Sequence, residues 1–192
     1  MGRPRPAPPV KLICGLLSGD VDLLRRARQL LVRRFGPHDL ESAIWPFDHT
    51  DYYAEEMGPG LQRQFISFER LIRPDLLAEI KHDTNALEEE LSRQCMALGI
   101  LRPVNLDPGY VDLSKLVLAT TKDRSHRIYV GQRIFAEVTL HFVAGRWQTW
   151  PWTYPDYQRP EYHAFFTQVR ERLRQQREIA AAAEERHSAP QE

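Results

Sequence analysis

Between Val104 and Tyr157 the chain carries Asp107, Lys122, Asp123, His126, Arg127 and Glu137 among dense apolar runs. These are the groups from which an anion-binding or acid–base site is assembled. Lys122 and Arg127 suit a phosphate or carboxylate, and His126 titrates near neutral pH as a general acid or base must. Asp123 and His126 are close enough in sequence to orient one another, with Asp107 or Glu137 as the complementary carboxylate. A plain turn, capped by Asp123 and flanked by a solvated Lys and Arg, fits TTKDRSHRIY equally well.

Two neighbouring stretches bear on the same site. In NLDPGY, Pro108 fixes φ and Gly109 tolerates positive φ, which predicts a turn presenting Asp107, with Tyr110 just beyond it as a ligand contact. An Asx hydrogen bond inside that turn is the commoner fate of such an Asp. In Ile134–Val143 strict alternation sends Ala136, Val138, Leu140 and Phe142 to one side. Phe135, Glu137, Thr139 and His141 go to the other, which is either a site or a solvated sheet face.

Asp48 and Asp51, in PFDHTDYYAEEMG, offer hard oxygens for a divalent cation such as Mg²⁺, but without any EF-hand spacing. Zinc is disfavoured, because the seven histidines and two cysteines form no HExxH pair or Cys/His set. GxGxxG, GxxxxGK[ST] and GxSxG do not occur. PWTYPDY reads as a rigid aromatic loop packed on a sheet, with Trp152, Tyr154 and Tyr157 as an alternative ligand wall.

The elements that must position these groups follow from periodicity. Val10–Leu17 is a short apolar strand, and Asp20 caps a helix whose Leu23, Leu24, Ala27, Leu30 and Leu31 face inward. Gly36-Pro37 ends it. Leu40–Phe47 and Leu61–Leu71 read as strands. Pro74 opens a second helix with Leu76, Leu77, Ile80, Leu87 and Leu91 inward, closed by Gly99. Ile100–Leu106 is a further strand. The order β-α-β-β-α-β predicts an α+β fold with a ferredoxin-like core. For residues 112–120 both helix and strand are open, with helix slightly preferred. His126–Val130, Ile134–Val143 and Arg146–Trp150 form a β-meander. A terminal helix from about Glu161 carries Tyr162, Phe165, Phe166, Val169 and Leu173 on one stripe.

Residues 1–9 are expected to be a flexible lead, 10–178 one domain, and 179–192 a tail without an apolar stripe. A chain of 192 residues buries roughly 70% of its unfolded surface and needs no disulfide or structural metal. With 26 cations against 26 anions the molecule lacks the positive field of a dedicated nucleic-acid binder. No run approaches the roughly 18 apolar residues of a membrane span. Cys14 and Cys95 have no metal or disulfide spacing, which fits reduced thiols in the cytoplasm.

FGPHDLES, TDYYAEEMG, VNLDPGY, KLVLATTKDRSHRIY, AEVTL and PWTYPDY, in that order, resemble the domain of unknown function 4416 family over about residues 10–175. The resemblance implies a mainly prokaryotic distribution and marks Thr121-Lys122-Asp123 as a family hallmark. It carries no activity. Two expectations follow. The first is a small-ligand site, for a phosphorylated or nucleotide-like molecule, using Lys122, Asp123, Arg127 and Tyr110 with His126, Glu137 and Asp107. The alternative is a non-catalytic binding or adaptor domain in which the same charges form structural salt bridges. Enzyme status and oligomeric state stay open.

Overall fold

All nine residues of Val10–Ser18 (β1) are buried, so this strand needs cover on both faces, and that requirement organises the fold. In the computed structural model, residues 2–48, 54–95 and 102–188 are described. After β1 come α1 (Val21–Phe35), β2 (His38–Glu41), β3 (Trp45–Pro46) and the short α2 (Ala54–Met57). Then follow β4 (Gln62–Ile72), α3 (Leu77–Cys95), β5 (Asn105–Val111) and β6 (Lys115–Thr120). The chain ends with β7 (Ile128–Gly131), β8 (Ile134–Val143), β9 (Arg146–Thr149) and α4 (Pro160–Ser188). The result is a mixed α/β protein built on one antiparallel sheet of nine strands. Its order is β2-β4-β1-β5-β6-β8-β7, with β3 added to β4 and β9 to β8.

The helices take opposite faces. Leu12, Cys14 and Leu16 of β1 pack with Leu23, Leu24, Ala27, Leu30 and Leu31 of α1 and with Ile80 and Leu91 of α3. Ile13 and Phe65 point the other way, into Tyr162, Phe165, Phe166 and Val169 of α4. Asp20 caps α1 by accepting the Asp22 N–H, and Gly36 ends it at φ 94°. Pro74 opens a 3₁₀ turn that leads into α3. The α4 helix continues to Ser188, past Ile179, where its apolar stripe has stopped and a tail was expected. No described helix is long and apolar enough to cross a membrane.

Four expectations need correction. Leu40–Phe47 is two short strands, because Ser42 turns inward: its hydroxyl accepts the Phe65 N–H and its own N–H donates to the Phe65 carbonyl. NLDPGY is no turn; it is β5, paired along β1 so that Tyr110 faces Leu12 and Pro108 faces Cys14. Gly109 has no positive φ there. It is required for space, since a Cβ would lie 2.3 Å from the Val117 carbonyl oxygen and 2.7 Å from Leu118 Cδ2. Burial between two strands has overridden turn propensity. Residues 112–120 are a hairpin and strand, with Leu116–Ala119 continuously buried, so the run that allowed a helix is a strand covered on both faces.

The fourth correction concerns β8. Leu116 pairs with Leu140 but Val117 pairs with Val138, which leaves one extra residue in β8, a β-bulge. Ala136 and Val138 pack with Val117, Ala119 and Ile134 beneath α3. Leu140 and Phe142 pack on the opposite side, under α4. By the same alternation His141 leaves the face of Glu137, which pairs with Leu118.

Gly109→Ala is expected to cost about 1–3 kcal/mol through overpacking of β5 against β6, read as a lower urea midpoint. An unchanged midpoint would mean that the two strands do not approach this closely.

Candidate functional site

The ladder between β5 and β6 covers Gly109–Val111 against Leu116–Leu118 and goes no further. Pro108 has no N–H with which to extend it. Upstream of that point α3 takes over from the missing strand. Lys81 Nζ donates to the Leu106 carbonyl at 2.8 Å, and the Leu106 N–H donates to Glu88 Oε1 at 2.7 Å. In the notch where the strands part lies a cavity of about 550 Å³. Its walls come from β4 and β5, from α3, from the connection after β6, and from the loop after β9.

One wall centres on Arg63, which is 3% exposed. Its Nη1 donates to Asp107 Oδ2 at 3.1 Å, its Nη2 lies 3.6 Å from Asp156 Oδ2, and its plane covers the Phe47 ring. Gly15 leaves room for it, because a Cβ there would sit 3.1 Å from Arg63 Nη1. Asn105 Nδ2 also donates to Asp107, and Arg102 donates to Asn105 Oδ1. Burial pushes the Asp107 carboxyl up, but Arg63 and Lys81, with Arg102, outweigh it and hold the group below the usual carboxylate range. Burial raises the Tyr157 hydroxyl well above the ordinary tyrosine value, so it keeps its proton.

The second wall centres on Glu137, 3% exposed, whose Oε2 accepts Arg127 Nε–H at 2.9 Å and lies 3.0 Å from His126 Nε2. Its Oε1 accepts the Thr139 hydroxyl. Arg127 goes on to donate to the Lys122 carbonyl and to the Tyr154 hydroxyl. One guanidinium therefore ties the connection after β6, strand β8 and the loop after β9 together. Behind it His126 stacks on Trp152, and Trp152 on Trp150.

Of the residues proposed from sequence, Asp107, Lys122, Arg127 and Glu137 line the cavity together with Tyr154 and Tyr157. His126 is not among the lining residues; it abuts Glu137 from outside. Asp123 is exposed on the connection, also outside the lining. Tyr110 is half-buried and packs with Val117 and Ala119 beneath α3. Asp48 is exposed, and Asp51 lies outside the described residues. Among the described residues no three His, Cys, Asp or Glu side chains gather so as to hold a metal ion.

Arg63, Lys81 and Asp156 were missed. Lys81 carried a signal, since it stands on the buried stripe of α3 with Leu77, Thr84 and Leu91. Arg63 stands beside Gln62 and Gln64 at the start of β4, in a polar run that gave no sign of burial. Asp156 had no signal apart from its loop.

Fold and site together define an α/β protein with a charged cavity where two neighbouring strands separate. More particularly, the chain belongs to the domain of unknown function 4416 family, whose model matches residues 8–173. No curated protein and no solved structure matches it.

Because Asp107 titrates lower in the folded chain than the usual value near 3.9, its ion pairs favour folding above that pH. That contribution is lost as pH falls through the lowered value. The stability gap between the native chain and Asp107→Asn is expected to be roughly 2 kcal/mol at pH 7. In urea unfolding it should close progressively below about pH 4. A gap independent of pH would mean that Asp107 is not held by these cations.

Proposed function

We propose that the cavity binds a small anionic molecule of phosphorylated or nucleotide-like chemistry, with Lys122 and Arg127 among the groups that hold it. One observation carries this: side chains from distant segments converge on one hollow, and six of its lining residues are Arg or Lys against three carboxylates. Its volume of about 550 Å³ is of the size that encloses a small organic ligand. Asp107 and Glu137 are each engaged by an arginine, and the lowered Asp107 carboxyl is a poor base, which favours binding over a proton-transfer role.

The alternative is a non-catalytic adaptor in which the same charges serve structure. Its support is that Arg63–Asp107 and Arg127–Glu137 already satisfy one another. The neutral net charge gives little to a nucleic-acid partner.

The ferredoxin-like plan for the first half is supported by the order β2-β4-β1-β5 and by α1 and α3 packing on one face. Buried, unpaired Cys14 and Cys95 agree with a reducing, cytoplasmic setting.

A thermal-shift panel of phosphate esters, nucleotides and MgCl₂ on the native chain, Lys122→Ala and Glu137→Ala tests the site. A ligand at a hundredfold its Kd is expected to raise Tm by roughly 5–10 °C. Lys122→Ala should cut that rise by about half or more. If no probe moves Tm, the adaptor alternative stands instead.

A further inference from the structure

Three cations of the cavity lining, Arg63, Lys81 and Arg127, have buried side chains, and its three carboxylates are shared unevenly among them. Arg63 takes Asp107 and lies beside Asp156, and Arg127 takes Glu137. Lys81, 6% exposed, has none. Its Nζ donates to the Leu106 carbonyl at 2.8 Å, and among the described residues no carboxylate is in ion-pair contact with it.

The carboxylates that feel the Lys81 charge are engaged elsewhere. Glu88 accepts the Leu106 N–H and Arg102, while Asp107 accepts Arg63 and Asn105. An ammonium has three N–H donors, so two remain after Leu106. Buried charges are ordinarily paired, because an isolated one is costly to remove from water.

The place of this ammonium matters as much as its charge. Leu106 lies on β5 beyond the point where β6 has left it, and Lys81 takes its carbonyl in place of a strand. Nζ therefore stands in the notch itself, at the hollow that Lys81 lines. Leu118, Ala119 and Thr120 of β6 line the same hollow.

We propose that Lys81 is the inner anion anchor of the cavity: an oxyanion of the ligand, carboxylate or phosphate, seats on its spare N–H groups where β5 and β6 part. This rests on the reading of the cavity as an anion site. It adds to Lys122 and Arg127 a buried residue that fixes how deep the negative charge of the ligand sits.

Side-chain NMR of the full chain carrying isotope-labelled lysine tests the assignment. The lysines are Lys11, Lys81, Lys115 and Lys122. Lys11 and Lys115, bonded to Asp39 and Asp112, serve as internal controls. Acetate, inorganic phosphate, ribose 5-phosphate and adenosine monophosphate are titrated against sodium chloride of equal ionic strength. At least one of the four is expected to shift the Lys81 signal saturably while both controls stay still. Whether acetate or the phosphates do so names the oxyanion. Lys81→Met, which keeps the stem and removes the charge, should weaken that probe about 10–100-fold. Because Lys81 also holds Leu106, the native-chain spectrum decides the matter if this variant does not fold. A probe that binds and moves Lys122 but not Lys81, or that binds Lys81→Met as tightly as the native chain, overturns the inner anchor and leaves the anion site. If none of the four binds, the anion site falls with it.

Discussion

The backbone of Leu106 is held by side chains where a neighbouring strand would ordinarily hold it, and the cavity exists because of that substitution. A strand that leaves its partner inside a protein exposes N–H and C=O groups that must be paired. Here Lys81 and Glu88, seven residues apart and so two turns apart on α3, take the Leu106 carbonyl and N–H. The sheet can then open beyond Gly109 without leaving these groups unmet. Pro108, which lacks an N–H, stands where the ladder stops.

Opening a sheet in this way places charged groups at low dielectric, where they must be matched. Arg63 is matched by Asp107 and Asp156, and Arg127 by Glu137. The Arg63 pairs join segments far apart in the chain, whereas the Arg127–Glu137 pair closes a hairpin. Arg127 links three segments through Glu137, the Lys122 carbonyl and Tyr154. The same pairs also cancel charge inside, so the net positive character of the lining falls to Arg102, Lys122 and Arg124.

A good part of the fold was legible locally. The inward leucines of α1, the Asp20 cap, the Pro74 start and the aromatic stripe of α4 all stand where periodicity put them. About half of the candidate site was legible too: Asp107, Lys122, Arg127 and Glu137 meet at one cavity. His126, Asp123 and Tyr110 do not join them. His126 illustrates why, since neither its place outside Glu137 nor its stacking on Trp152 follows from its sequence neighbours. Arg63, Lys81 and Asp156 escaped notice because their partners lie in other segments.

What the chain determines by itself is every element whose signal is contained within one turn or one strand. Caps and apolar stripes belong here, because a cap is completed by near neighbours and a stripe is set by the helix period whatever it packs against. The tertiary structure decided the rest. DPG became a strand interior, since pairing with β1 and close approach to β6 outweighed its turn propensity. One extra residue in β8 reversed the facing of Leu140 and Phe142, because that register is set against β6. The cavity is likewise a property of two strands that part, and strand separation depends on pairings across the sheet that no local pattern encodes.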